Sequence, residues 1–175
     1  MNHGEKATEL FLSGYNCTQA VVVAFCDVTG LDQAFAARLA SPLGGGMGRM
    51  REVCGAVSGM LLVLGLLYGY DKPGDDSSKK RLYTEVQALA ARFREQTGSI
   101  ICREILKNPS SDPNPTPRTA DFYAKRPCAR MVRIAAELMD VFIAEHPLEE
   151  SCSAPCCAGS STASSHPCRQ TRWGR

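Results

Sequence analysis

The stretch Val53–Tyr70 reads VCGAVSGMLLVLGLLYGY and contains no charged residue. Eighteen apolar residues are the lower limit for a transmembrane helix, so the stretch has to be read as either a membrane span or a buried core helix. Gly55, Gly59, Gly65 and Gly69 suit both, because small residues let neighbouring backbones approach closely. Cys54, Ser58, Tyr68 and Tyr70 lie within the stretch and count against a lipid environment. The flanking segments are amphipathic, and their apolar faces need something to cover. A helix that is apolar all round and surrounded by such partners is a central core helix, and membrane insertion is the less economical reading.

Working outward, the glycine loop Gly44-Gly45-Gly46-Met47-Gly48 precedes this helix, which is expected from about Glu52 to Tyr70. Ala7, Leu10, Phe11 and Tyr15 mark a first short helix. Asn16 can cap a second, whose face carries Cys17, Ala20, Val21, Ala24 and Val28 and which Gly30 closes. Asp32 caps a further short helix that Pro42 ends. After the turn Asp71-Lys72-Pro73-Gly74, the residues Asp76-Ser77-Ser78 offer caps for a helix with Leu82, Val86, Leu89 and Phe93 on one stripe. Gly98 interrupts it, and a piece from Ser99 to Lys107 carries Cys102. Four prolines between Asn108 and Thr119 exclude helix and strand there. Pro127 suits the first turn of the last helix, with Cys128, Met131, Ala135, Leu138 and Phe142 in a stripe.

Few runs alternate with period two. The fold expected is therefore all-α: a compact bundle of four to five main helices with short satellites, built around the apolar helix. Residues 1–148 form this domain. From Glu149 to Arg175, Ser, Ala, Gly, Pro and Cys dominate without apolar period, which is the composition of a flexible tail.

With 175 residues the chain is long enough for one real core and short for two. The net charge of +2 is small, and Lys and Arg are interspersed with acids, so no stripe for nucleic acid exists. The N-terminus leads straight into an amphipathic pattern, with no secretory signal visible. The nine cysteines are an odd number, and long helical segments surround them, which argues against an exported disulfide framework. A cytoplasmic location with reduced thiols is the expectation.

Cys17, Cys54, Cys102 and Cys128 each fall on or beside the apolar stripe of a different predicted helix. A single such cysteine is most simply a small buried hydrophobe. Four that converge allow two chemistries. In thiol–disulfide exchange, a pair such as Cys17 and Cys54 cycles between dithiol and disulfide. Cys54 is then the attacking thiolate, since it lies in the first turn of its helix, near Arg49 and Arg51, although Glu52 opposes this. In the alternative, the same four sulfurs hold a soft metal ion or an iron–sulfur cluster without turnover. No Cys-x-x-Cys pair occurs among them, so every ligand would come from a separate helix. A third reading makes the protein a structural or interaction module with merely buried thiols.

The run Cys54-Gly55-Ala56-Val57-Ser58-Gly59 resembles the Cys-Gly-Ala-x-x-Gly core of the C_GCAxxG_C_C family of small proteins named for their four-cysteine pattern. The glycine-rich lead-in and the long apolar helix are similar too. The cysteine before the motif corresponds to Cys17, in Gly14-Tyr15-Asn16-Cys17-Thr18-Gln19, and those after it to Cys102 and Cys128. The likeness covers roughly residues 5 to 146. It implies a redox role without an assigned reaction. It also hints at a link to a transport system, because members are often described beside transporter genes. A redox partner protein or a small electron carrier would complete such chemistry. Cys26 and the tail cysteines Cys152, Cys156, Cys157 and Cys168 fall outside the pattern.

Other chemistries find no support in the residues. The glycine loop lacks the Gly-Lys-Ser/Thr ending of a nucleotide P-loop and the spacing of a dinucleotide fingerprint. Its glycines are better explained by close passage beside neighbouring helices, aiming Cys54 inward. His3, His146 and His166 are isolated, and no Ser-His-Asp set is present. Any reaction here is sulfur chemistry.

Overall fold

A computed structural model of the chain describes residues 2–108 and 110–148. The expected flexible tail, 149–175, lies outside the described residues, as does Pro109 of the proline-rich segment. Among the described residues the fold is all-α. Its helices are α1 His3–Leu12, α2 Cys17–Ala24, α3 Cys26–Thr29, α4 Gln33–Ala40, α5 Gly55–Tyr68, α6 Asp76–Thr97, α7 Cys102–Leu106, α8 Ala120–Lys125 and α9 Cys128–Glu145.

Local chemistry explains most boundaries. Asn2 and Glu5 form a capping box that starts α1. Asn16 and Gln19 do the same for α2, the Asn16 side chain accepting from Thr18 N–H and Gln19 N–H at 3.0 Å. Such a cap contributes about 1 kcal/mol. Asp32 caps α4, and Gly30 and Gly98 end α3 and α6 in the left-handed conformation at φ 70° and 87°. The cap of α6 is Asp75, one residue before the expected group. Pro127 precedes α9 as its N-cap.

Two helices share the centre where the sequence suggested one. In α2, Thr18 and the run Ala20–Ala24 are fully enclosed, and the helix packs on α1, α4, α5 and α9. The apolar helix α5 packs on α2, α6 and α9. It is 14 residues long, about 21 Å at 1.5 Å per residue, and starts three residues later than its pattern suggested. No helix among the described residues is long and apolar enough to cross a membrane. The motif's glycines explain how α2 and α5 approach. A Cβ on Gly55 would stand 2.8 Å from Thr18 Oγ1 and 3.1 Å from Cys17 Cβ, and one on Gly59 would stand 2.8 Å from Val21 Cβ. Four residues apart, the two glycines lie on one face of α5. The Cys-Gly-Ala-x-x-Gly run is thus a packing groove for the helix that carries Cys17.

The single helix expected from Cys17 to Gly30 breaks at Phe25 into α2 and α3. Besides this break and a 3-10 turn at Ser41–Leu43, two local features are absent from the sequence reading. One is α8, capped by Thr119 and followed closely by Pro127. The other is an isolated antiparallel bridge between Val53 and Ile101. Through it Cys54 N–H donates to the Ile100 carbonyl at 2.8 Å, and Cys102 N–H to that of Glu52 at 2.7 Å. The bridge ties the start of α5 to the start of α7.

Candidate functional site

All four cysteines singled out from the sequence occupy the start of a helix. Cys17, Cys102 and Cys128 are the first residues of α2, α7 and α9, and Cys54 is the N-cap of α5. The four helix starts meet around one cavity of about 300 Å³ that all four cysteines line. Cys54 and Cys102 are buried, while Cys17 and Cys128 are half-buried. Cys26 lies outside the cavity, and the tail cysteines lie outside the described residues.

The glycine loop forms one wall. Gly45, Gly46, Met47, Gly48 and Arg49 all have positive φ, between 56° and 73°, and Arg51 follows at 63°. Left-handed backbone costs a non-glycine residue roughly 1–2 kcal/mol, so Met47, Arg49 and Arg51 are held there by their surroundings. Gly46 sits so near α7 that a Cβ on it would stand 2.8 Å from Cys102 Cβ. The conformation turns two arginines toward the proline-rich segment. Arg49 Nε donates to the Asp112 carbonyl at 2.6 Å, and its Nη1 to Thr116 Oγ1 at 3.2 Å. Arg51 Nε donates to the Ser110 carbonyl at 2.9 Å. That segment, whose prolines excluded helix and strand, thereby closes over the cavity with Pro113, Pro115 and Thr116 in its lining.

Four arginines line the space: Arg49, Arg51, Arg118 and Arg126. Arg51 is 2% exposed and makes no ion pair with a described carboxylate; its guanidinium pulls the Cys102 thiol downward in pKa. Arg118 rests over the Phe11 and Phe122 rings, 5.1 Å and 5.2 Å from their centroids, and Arg126 over Phe122 at 4.6 Å. Among the described residues, no Asp or Glu lines the cavity. Glu52, which the sequence set against a Cys54 thiolate, is instead bound to Arg103 at 2.7 Å. Arg118 and Arg126 were not anticipated. The only hint in the sequence was the adjacency Arg126-Pro127-Cys128.

The thiols differ sharply in acidity. Burial pushes Cys54 up to about 12, although the nearby N–H groups of Ala56 and Val57 pull it down. This reverses the expected lowering: the helix start is present, but desolvation of a thiolate outweighs it. Burial also raises Cys102, against the pull of Arg51. Cys17 and Cys128 both line the cavity and shift each other's acidity. Cys128 is held below its ordinary value, first by the neighbouring Cys17 thiol and then by Arg126, Arg118 and Arg51. Cys17 is raised in turn, because the neighbouring Cys128 and burial both favour its protonated form. The sequence reading paired Cys17 with Cys54; the thiol that acts most strongly on Cys17 is Cys128.

A metal ion or cluster was the alternative use of these sulfurs. Among the described residues, no group of three or more His, Cys, Asp or Glu side chains is disposed to hold a metal ion. The four sulfurs share the cavity without forming such a ligand set among the described residues. The two described histidines, His3 and His146, serve elsewhere. His3 hydrogen-bonds Asp140 and Asp27 and stacks on Phe25, and His146 bonds back to the Phe142 carbonyl.

No match was found among curated proteins or among solved structures. The family model described as "Putative redox-active protein (C_GCAxxG_C_C)" matches residues 15–142, which include all four cavity cysteines. With most of its length matched, and its four cysteines gathered on one cavity, the chain belongs to the C_GCAxxG_C_C family.

Proposed function

We propose that the protein carries out thiol–disulfide exchange, with Cys128 as the attacking thiolate and Cys17 as the resolving thiol. The observation that supports this reading is that Cys17 and Cys128, at the starts of α2 and α9, line one cavity together with Arg51, Arg118 and Arg126, where Cys128 is held below its ordinary value. A lowered thiol pKa raises the thiolate fraction at neutral pH, and the adjacent S–H supplies both a proton and a second sulfur. Cys128 attacks a disulfide of a redox partner protein or small carrier, forming a mixed disulfide and expelling one thiolate. Cys17 then attacks Cys128 Sγ, passing its proton to the departing sulfur and expelling the second thiolate. The chain loses two electrons as Cys17–Cys128 forms, and the partner gains two. Reduction runs the same steps backward. In this reading Cys102 and Cys54 wall the site, Arg51 steadying the first, and the setting is the reducing cytoplasm.

The test is to oxidise the reduced protein with a small disulfide, block free thiols and map the bridge by peptide mass. A Cys17–Cys128 bridge is expected, and Cys17→Ser should trap the mixed disulfide on Cys128. A bridge between Cys54 and Cys102 that excluded Cys17 and Cys128 would refute the assignment.

A further inference from the structure

The ionisable side chains that line the cavity are four cysteines and four arginines, with no carboxylate among them. An arginine enclosed to 2% exposure ordinarily faces a carboxylate, because an unpaired buried charge costs several kcal/mol. Arg51 has no such partner among the described residues; its Nε donates to the Ser110 carbonyl. Arg49, Arg118 and Arg126 likewise form no ion pair there, although three ion pairs of other arginines, Arg92, Arg103 and Arg133, occur elsewhere on the molecule. The crowding is mutual, since burial first, and then Arg51 and Arg126, push Arg49 below its ordinary value. The N-terminal ends of α2, α5 and α9 add their partial positive charge to the same space. The lining is otherwise uncharged, with Phe11, Ile105 and Met131 among its apolar residues. Such a site is complementary to a short molecule with an anionic end and an apolar, reactive middle.

We infer that the cavity recognises a small anionic disulfide, its carboxylates engaged by Arg51, Arg118 and Arg126 and its sulfurs presented to Cys128. The inference rests on the exchange reading and narrows it: the oxidant is a low-molecular-weight dicarboxylate disulfide, and not a neutral or cationic one. A cavity of about 300 Å³ lies at the small end of ligand pockets and suits a molecule of this size. The balance is that of exchange. Cys128 takes one half of the disulfide and releases the other as a thiolate; Cys17 displaces the first half; two anionic thiols leave, and one protein disulfide forms.

The full chain would be oxidised with 3,3′-dithiodipropionate, 2-hydroxyethyl disulfide and cystamine, which carry negative, zero and positive charge. Each rate is divided by that of the urea-unfolded chain to remove intrinsic reactivity. The order anion, neutral, cation is expected, with the anion ahead of the cation by at least about tenfold at low ionic strength and the gap shrinking with salt. Arg51→Gln should bring the ratio to within about twofold. Should that variant fail to fold, Arg118→Gln with Arg126→Gln alters residues at the rim and reads the same ratio. In parallel, octanedioate, which matches the dipropionate in length without a disulfide, is titrated calorimetrically into the reduced protein. Equal normalised rates and no octanedioate binding would overturn the anion site while leaving exchange intact. Octanedioate binding with no oxidation by any disulfide would overturn exchange, and with it the disulfide as ligand. Arginine-dependent octanedioate binding with the charge order above supports the inference in full.

Discussion

Cys54 at the start of α5 and Cys128 at the start of α9 look equivalent: each is a thiol at a helix N-terminus, on the wall of the same cavity. Yet one is pushed up to about 12 and the other is held below its ordinary value. Cys54 is 5% exposed, and its stabilising neighbours are two backbone N–H groups. Cys128 is half-buried, stands near a second thiol, Cys17, and feels the charge of three guanidinium groups. A helix dipole is worth at most about 2 kcal/mol in favourable partly buried settings. Burial can cost a thiolate more than that, so the dipole decides nothing unless full charges stand beside it.

The sharpest way to break this comparison is to remove each sulfur in turn. Cys128→Ser should abolish the fast phase of iodoacetamide labelling at pH 7, slowing the most reactive core thiol about tenfold or more. Cys54→Ser should leave that phase in place. Loss of the fast phase only in the Cys54 variant would invert the roles.

The comparison also has a pH signature. The folded pKa of Cys54 is raised, so its burial stabilises the fold fully below the ordinary thiol value of 9.0, and this stability is lost as pH rises toward about 12. One group contributes a slope of about 1.4 kcal/mol per pH unit across that window. Cys128 is lowered, so its contribution is present above the ordinary value and fades as pH falls through its folded value. Urea melts from pH 8 to 11 should therefore fall less steeply for Cys54→Ala than for the parent chain. An unchanged slope would mean that Cys54 is not the titrating group.

Packing offers a smaller effect. Gly55→Ala places a methyl 2.8 Å from Thr18 Oγ1 and 3.1 Å from Cys17 Cβ. It should lower stability by about 1–3 kcal/mol in chemical melts. By displacing Cys17 it should also raise the labelling midpoint of Cys128. Smallest of all, Gly65→Ala on the same helix meets nothing within 4 Å and should stabilise by roughly 0.5–1 kcal/mol. A loss at Gly65 as large as at Gly55 would show that helix propensity, and not contact with α2, sets the response.

The sequence by itself determined the helices and much of their capping. Asn16, Asp32, Gly30, Gly98 and Pro127 act within a few residues of where they stand, and the apolar stripes of α6 and α9 repeat at helical spacing. Such signals are local, so they can be read without a fold. It also singled out the four cysteines and the glycine motif. The short helix α8 escaped because one and a half turns between prolines carry too little periodicity. Only the tertiary structure decided which sulfur meets which. Cys17 and Cys128 are 111 positions apart, and their contact depends on α2 and α9 packing directly. The left-handed loop delivers Arg49 and Arg51, the bridge of Val53 to Ile101 fixes Cys102, and α8 with its flanking residues brings Arg118 and Arg126. Acidity follows from desolvation and from charges across space, and neither is a property of a residue's neighbours in the chain.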